Sequence, residues 1–475
     1  MVEIVLLTPP VTLKERYGNL SGAANTLPSL GILYLAAVLR KEGYSVSVIE
    51  ASSLGLSLKE LIKEIIPQKP KYIGISATTL SIFNASVLAG EIKKTDNRIK
   101  TIVGGPHITA VPEETLNLFS SFDIGVIGEG EETLKELIYA LEKGGNLSGV
   151  NGITFRDGQN ILKTPRRTFL NELDRLPFPA WDLLKDFPKK YYPPPFRFRT
   201  LPAAYIVTSR GCPYKCIFCD RSVFGNKCRA HSAKYILELM EYLYNRFGIR
   251  EVLIEDDTFV TFKKRLIEVC EGLINRGTRI SWSCLARADA VTPEILSLMK
   301  KAGCWSISYG IETGDPDVMR FIEKNITLDK IEQAVKWTKE AGMLSKGFFI
   351  LGHPIDDHKT IKKTIDFALN IPLDDISVSM MTPFPGSKLH KIASQYGDFE
   401  NNWRKMNELD VVFIPKGLTR DNLEKYSREF LRRFYLRPGR VINYMGRIIR
   451  NPRNLPLYMK GFSAFLKEIT KYQNL

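Results

Sequence analysis

Cysteine is sparse in this chain: seven in 475 residues, an odd number. That excludes the stapled frame of a small secreted domain, which needs many more thiols per residue. A long apolar run is missing as well. The uncharged stretch Tyr72 to Gly90 is interrupted by Ser76, Thr78, Thr79, Ser81, Asn84 and Ser86. It reads as a buried strand, a loop and the start of a helix, not as a lipid-facing span. Acidic residues are short only at the C-terminus, where residues 401–475 hold 16 Lys and Arg against 6 Asp and Glu. That leaves +5 of the net +15 for the first 400 residues. Hydrophobic content of 44% and charged content of 25% are ordinary for a globular protein, and the length suits about three domains.

Against that background three thiols stand out. Cys212, Cys216 and Cys219 fall within the run Ser209-Arg-Gly-Cys-Pro-Tyr-Lys-Cys-Ile-Phe-Cys-Asp220. Three thiolates on one loop can hold three irons of a four-iron, four-sulfur cluster and leave the fourth iron open to a substrate. Zinc is the alternative, with Cys228 or His231 as the fourth ligand, but that spacing is irregular beside the paired signatures of structural zinc. The other cysteines, Cys228, Cys270, Cys284 and Cys304, are scattered and read as small buried hydrophobes.

The first 150 residues alternate between short apolar strands and amphipathic helices. Strands are expected at Val2–Leu7, Tyr44–Glu50, Tyr72–Ser76, Lys100–Val103 and Asp123–Ile127, and helices at Gly31–Lys41, Leu58–Ile66, Ser86–Lys94 and Glu132–Glu142. This is the pattern of a doubly wound parallel α/β sheet, Rossmann-like in layout, whose ligands sit at the carboxyl ends of the strands. Pro9-Pro10, Ala77-Thr78-Thr79, Gly104-Gly105-Pro106-His107 and Gly128-Glu129-Gly130-Glu131 occupy those ends. Small residues there let a large flat ligand approach the backbone, although glycines after strands often serve only the turn.

Residues 150–200 form a Pro-rich connector, with a strand expected at Asn151–Arg156. A second alternating region runs from Ala203 to about Phe384. Its six expected strands are Ala204–Thr208, Val252–Ile254, Ser281–Cys284, Ser306–Tyr309, Gly347–Leu351 and Asp375–Ser379. Each is followed by residues suited to handling a ligand, as in a partial barrel of parallel strands.

These motifs together resemble the cobalamin-binding radical S-adenosylmethionine (SAM) enzymes, the group that includes methylases of unactivated carbon and the anaerobic magnesium-protoporphyrin monomethyl ester cyclases. The matching stretches are Leu27-Pro-Ser-Leu-Gly31 with Tyr34-Leu-Ala-Ala37, Gly43-Tyr-Ser-Val46, Gly74-Ile-Ser-Ala77, Val103-Gly-Gly-Pro-His107, Gly128-Glu-Gly-Glu131 and the cysteine loop. The resemblance implies a cobalamin-binding domain over residues 1–145, a connector over 146–200, a partial (β/α)6 TIM-like radical SAM core over 201–390 and a basic helical region over 391–475. It implies three cofactors: a 4Fe-4S cluster on Cys212, Cys216 and Cys219, SAM and cobalamin. Around SAM it places Phe218 beside the adenine, Glu255-Asp256-Asp257 near the amino group, Arg287 near the carboxylate, Glu312 near the ribose or methionine, and Gly352 in a segment against the adenine. Around cobalamin it places Pro9, Ser29, Leu30, Gly31, Ser76, Thr78, Thr79, Gly104, Gly105, Pro106, His107 and Gly128 to Glu131.

One motif of other cobalamin domains is absent. No Asp-x-His-x-x-Gly follows the second strand, so no lower axial histidine is offered to cobalt, and His107 is expected to hydrogen-bond near the corrin or to serve structure alone. The implied reaction is reductive cleavage of SAM to a 5'-deoxyadenosyl radical, followed by methylation of an unactivated carbon in a small-molecule or lipid-like substrate. A non-methylating cyclase or rearrangement enzyme is the first alternative. An RNA-modifying enzyme is the second, and nucleic acid is disfavoured because no cysteine precedes Cys212, whereas the similar methylthiotransferases carry further cluster cysteines there. A flavodoxin or ferredoxin is the expected electron donor, and oxygen sensitivity implies a reducing cytoplasm. From Arg437 to Lys471 basic residues alternate with Tyr444, Met445, Ile448, Ile449, Leu457, Tyr458, Phe462, Phe465 and Leu466. That mixture suits a helix on an anionic membrane, a lid over substrate, or a helical cap on the barrel.

Overall fold

The computed structural model describes residues 3–257, 259–277, 279–450 and 454–470. Val2 of the expected first strand and Lys471 of the tail pattern lie outside them. The N-terminal sheet contains β1 (Ile4–Thr8), β2 (Val46–Glu50), β3 (Tyr72–Ser76), β4 (Lys100–Gly104), β5 (Ile124–Val126), β6 (Ile153–Asp157) and β7 (Asn160–Lys163). Their order is β2-β1-β3-β4-β5-β6-β7, with the first five parallel and the last two antiparallel. The chain reverses direction across the sheet between β1 and β3, the switch point at which such sheets open a crevice for ligands. The five parallel strands were legible as apolar runs because both faces are covered. β7 was not: it is a mostly exposed edge strand reached through a tight turn at Gly158, whose φ of +59° favours glycine.

The second sheet holds β8 (Ala203–Ile206), then, after the short antiparallel pair β9 (Ser209–Arg210) and β10 (Arg229–Ala230) that brackets the cysteine loop, β11 (Glu251–Ile254), β12 (Ser281–Ala286), β13 (Cys304–Glu312), β14 (Leu344–Leu351) and β15 (Asp375–Met380). Omitting β9 and β10, consecutive strands are neighbours throughout and all are parallel, giving a curled half-barrel of six. Parallel order with helical crossovers puts every strand's carboxyl end on one face.

The two sheets share one hydrophobic core. Ile4 and Leu6 of β1, Leu33 of the helix Leu30–Lys41, Trp181 and Tyr191 of the connector, and Ile206 of β8 belong to a single buried cluster. The Pro-rich connector therefore acts as packing material: Ala180 N donates to Leu33 O at 3.1 Å, and Trp181, Phe187 and Tyr191 pack ring on ring. The region 391–475 is helical as expected: it begins in the helix Lys388–Tyr396 and carries a short antiparallel pair, β16 (Gly397–Phe399) and β17 (Phe413–Pro415), ahead of three further helices, Arg420–Tyr435, Pro438–Arg450 and Leu455–Thr470. Between those strands Trp403 and Met406 return to the other face of the N-terminal sheet, in a second core with Val5, Ile75 and Val103. Strands this short, lying outside a repeating strand–helix pattern, carry too little periodicity to be read from sequence.

Glu50 ends β2 with 2% exposure and accepts hydrogen bonds from Thr8 Oγ1 at 3.0 Å and Ser29 N at 2.7 Å. Burial outweighs these donors and pushes its carboxyl up to about 7. Between the ordinary carboxylate range and pH 7 the folded state thus holds a proton that the unfolded state has lost, so stability falls as pH rises through that window. Glu50→Gln is expected to reduce the slope of unfolding free energy against pH there by up to about 1.4 kcal/mol per pH unit, measured by denaturant titrations between pH 4.5 and 7.5.

Candidate active site

A cavity of about 690 Å³ lies between the carboxyl ends of the two sheets and takes walls from both. On the N-terminal side it is lined by Ser29, Gly31, Ser76, Gly104, Gly105, Pro106 and Gly128 to Glu131. A Cβ built on Gly31, Gly104 or Gly128 meets nothing within 4 Å, so at these positions glycine leaves space that side chains would fill. Gly105 is constrained for a second reason: at φ +103° its Cβ would lie 2.6 Å from Ala77 O. A floor of backbone edges at a switch point fits a broad planar macrocycle such as a corrin.

On the half-barrel side Cys212, Cys216 and Cys219 face the same cavity, together with Phe218, Asp256, Asp257, Arg287 and Glu312. Gly211 turns the chain into the loop at φ +85°, where a Cβ would sit 2.5 Å from Lys227 O. Ile217 N donates to Ile322 O at 3.1 Å, and Leu389 N donates to Ile217 O at 2.8 Å. Burial pushes the Cys212 and Cys216 thiols up, and crowding by the surrounding protein with the neighbouring Cys216 and Glu312 raises that of Cys219 although its surface is exposed. Thiolates in this loop therefore call for a cationic partner, and iron bound to sulfur supplies one. The zinc alternative loses its fourth ligands: His231 is buried, hydrogen-bonds Asp174 at 3.0 Å and stacks on Tyr235 at 3.8 Å, while Cys228 Sγ donates to Gly211 O at 3.4 Å.

Several residues assigned to cofactors from sequence stand elsewhere. His107 is 1% exposed, bonded through Nδ1 to Thr79 Oγ1 at 3.2 Å and set edge-on against Trp403 at 4.3 Å. Burial lowers its pKa to about 3, so it is a neutral core histidine, and Thr79 is its partner and no ligand-facing hydroxyl. Thr78 is bound to Ser81 ahead of the following helix. Pro9 is outside the lining, its carbonyl accepting from Val11 N, and Leu30 buries its side chain while its N–H donates to Tyr205 Oη. Glu255 pairs with Arg197 at 3.0 Å away from the cavity. Gly352 forms a turn at φ +84°, its N–H donating to Asp356 at 3.0 Å, and it too is absent from the cavity wall. Asp256 lines the cavity but is 0% exposed, its oxygens taken by Thr208, by Ser209 Oγ at 2.6 Å and by Arg265. Its neighbour Asp257 is the carboxylate left facing the space, with its pKa raised by burial and by the charge of Asp256.

Lys324, Tyr214, Phe348 and Arg210 are among the lining residues left unassigned in the sequence. Lys324 Nζ meets Glu312 Oε1 at 2.6 Å in a pair that is almost fully buried, and Glu312 holds a φ of +70°, rare for a residue with a side chain. Arg287 is fixed by Asp289, by the carbonyl of Lys324 at 3.0 Å and by the ring of Tyr214, 3.6 Å below its guanidinium. Lys324 follows a helix and no strand, so the rule of reading strand ends passes over it. Tyr214 and Phe348 stand on the barrel side.

Arg210 joins the two sides. It lies immediately before the cysteine loop and reaches Glu129 at 2.8 Å and Glu131 at 2.5 Å, and Arg229 on β10 reaches Glu129 at 2.7 Å. All four side chains are at most 8% exposed. Burial alone would raise the Glu131 carboxyl, but the Arg210 guanidinium outweighs it and holds Glu131 ionised. Removing one member of such a buried set strands the others, at a cost of about 3–5 kcal/mol. Arg210→Met is therefore expected to lower unfolding free energy by about that amount, read by anoxic urea denaturation, whereas substitution of the exposed, paired Arg276 should change it by less than about 1 kcal/mol.

Residues 206–368 match the radical SAM superfamily and residues 19–138 match the B12 binding domain. Over 446 residues the chain is 33% identical to an uncharacterised methyltransferase of Pyrococcus horikoshii, covering 93% of this chain and 94% of that protein. It is 27% identical over 423 residues to the anaerobic magnesium-protoporphyrin IX monomethyl ester cyclase of Rubrivivax gelatinosus, covering 87% and 74%. Among solved structures, the cobalamin-dependent SAM radical enzyme OxsB, with aqua-cobalamin and SAM bound, superposes with a TM-score of 0.74 at 20% identity, over 96% of this chain and 72% of that one. A three-cysteine loop facing a glycine floor across one cavity, with these matches to both halves, makes the chain a member of the cobalamin-binding radical SAM enzymes, with a 4Fe-4S cluster, SAM and cobalamin as its cofactors.

Proposed function

We propose that this enzyme methylates an unactivated carbon of a small-molecule substrate. The observation that carries the reading is that the three cysteines and the glycine floor of the N-terminal sheet line one cavity, so a radical made at one wall and a methyl carrier held at the other would meet without crossing bulk solvent. When bound, the cluster and SAM supply a hydrogen-abstracting radical, and cobalamin supplies the methyl group.

The chain's own part is to hold and orient. Cys212, Cys216 and Cys219 would hold three irons. Arg287, immobilised by Asp289 and Tyr214, presents a fixed planar cation to a carboxylate, and Asp257 presents an anion to an ammonium, which are the two charged ends of SAM. Lys324 and Glu312 neutralise each other, which lets charged groups line a largely apolar space without an unpaired ion. Gly31, Gly104 and Gly128 leave room for the corrin, and Pro106 and Leu35 add apolar surface beside it. A low-potential donor, a flavodoxin or ferredoxin, would deliver the electron.

The similarity to the cyclase supports a second reading, in which the same radical closes a ring and no methyl group moves. Labelling separates them. Reduced, reconstituted enzyme incubated with methyl-deuterated SAM and a small-molecule extract should yield 5'-deoxyadenosine and a product heavier by one labelled methyl group. Deoxyadenosine with an unlabelled product would replace the methylase reading with the cyclase one. Anoxic reconstitution should load about four irons per chain, and the Cys212→Ala/Cys216→Ala/Cys219→Ala variant should retain almost none while keeping its circular dichroism.

A further inference from the structure

The last two helices carry an apolar face that the fold does not use. On Pro438–Arg450, Ile442, Met445 and Ile449 are 67%, 56% and 73% exposed, and on Leu455–Thr470, Leu455, Met459 and Phe462 are 42%, 53% and 49% exposed. The spacings i, i+3, i+7 and i, i+4, i+7 place each set on one stripe of its helix. Single exposed hydrophobics are common on protein surfaces, but two ordered stripes on successive helices are not explained that way.

Packing residues occupy other positions of the same helices. Tyr444 sets its ring edge against Phe196 at 4.8 Å and donates to Asp375 at 3.0 Å. Tyr458, 2% exposed, stacks on Phe196 at 4.5 Å, and a Cβ on Gly461 would lie 2.9 Å from Pro195. Ala464 packs beside Gly22, and Phe465 meets Tyr435 at 5.2 Å. Tyr444, Tyr458, Gly461, Ala464 and Phe465 face the protein, and the stripe residues face outward. The outward stripes are thus held in place by the fold.

Charge identifies what covers them. From Leu436 to the end of the chain there are eight Lys and Arg against one acidic residue. Lys460 and Lys467 are exposed and have no carboxylate partner among the described residues. A second copy of the chain would bring the same positive charge against itself, and no helix among the described residues is long and apolar enough to cross a membrane. We infer that the helices Pro438–Arg450 and Leu455–Thr470 dock side-on onto an anionic lipid bilayer, with the apolar stripes at the acyl boundary and the lysines among the phosphates.

The test uses the full chain, loaded with cluster and cobalamin, in anoxic flotation with vesicles of phosphatidylglycerol and phosphatidylcholine or of phosphatidylcholine alone. The expected result is flotation with the anionic vesicles, weakened by salt, and a bound fraction lower by about tenfold or more for both Ile442→Glu/Ile449→Glu and Lys460→Glu/Lys467→Glu, with melting temperatures unchanged. Absence of flotation at low salt overturns the inference. So does flotation that survives both variants, or a dimer in sedimentation that the Ile442→Glu/Ile449→Glu variant dissolves.

Discussion

Everything at the cavity depends on a buried four-membered charge set, Glu129 and Glu131 from the N-terminal sheet with Arg210 and Arg229 from the strands flanking the cysteine loop. The loop itself has almost no regular structure, and its position is set at its base. Arg210 is two residues before the first cluster ligand, so the carboxylates after β5 fix where the thiols stand relative to the glycine floor. Ionic groups taken out of water tolerate little displacement, because moving a guanidinium away from its carboxylates leaves both uncompensated. Apolar packing of equal area would be more forgiving. For two reactants that must meet across one space, a stiff link has a clear use.

How much of this was readable from residues alone follows from what kind of signal each feature leaves. The buried parallel strands of both sheets were visible because covering a strand on two faces demands an apolar run, and all six half-barrel strands appear where such runs occur. The cysteine loop was visible because its spacing is chemical. The expected site residues that the cavity wall leaves out share a different origin. Thr79, His107 and Gly352 sit at strand ends, as ligand-handling residues do, but the chain needs such residues for turns and caps too, and only packing distinguishes the two uses. His107 is held behind the floor by Trp403, nearly three hundred residues later in the chain, a contact no local pattern announces.

The pairings that neutralise charge were equally hidden. Asp256 and Asp257 are adjacent and chemically identical, yet one is consumed by Thr208, Ser209 and Arg265 and the other faces the cavity. Lys324 supplies its charge from a loop after a helix, and Arg210, inside the cysteine motif, has its carboxylate partners some eighty residues earlier in the chain. In each case the relevant partner is remote in sequence, so residue type alone leaves the role undetermined.

The shared core running from β1 through Trp181 and Tyr191 to β8 has a consequence for how the holoenzyme comes into being. Two layers fused by one continuous hydrophobic body do not open and close as a hinge between independent modules would, and unfolding couples them. Any molecule that binds the native N-terminal layer and ignores the unfolded chain therefore stabilises the half-barrel by mass action as well. Corrinoid bound at one layer would then stabilise the iron-carrying half as well as the layer it occupies.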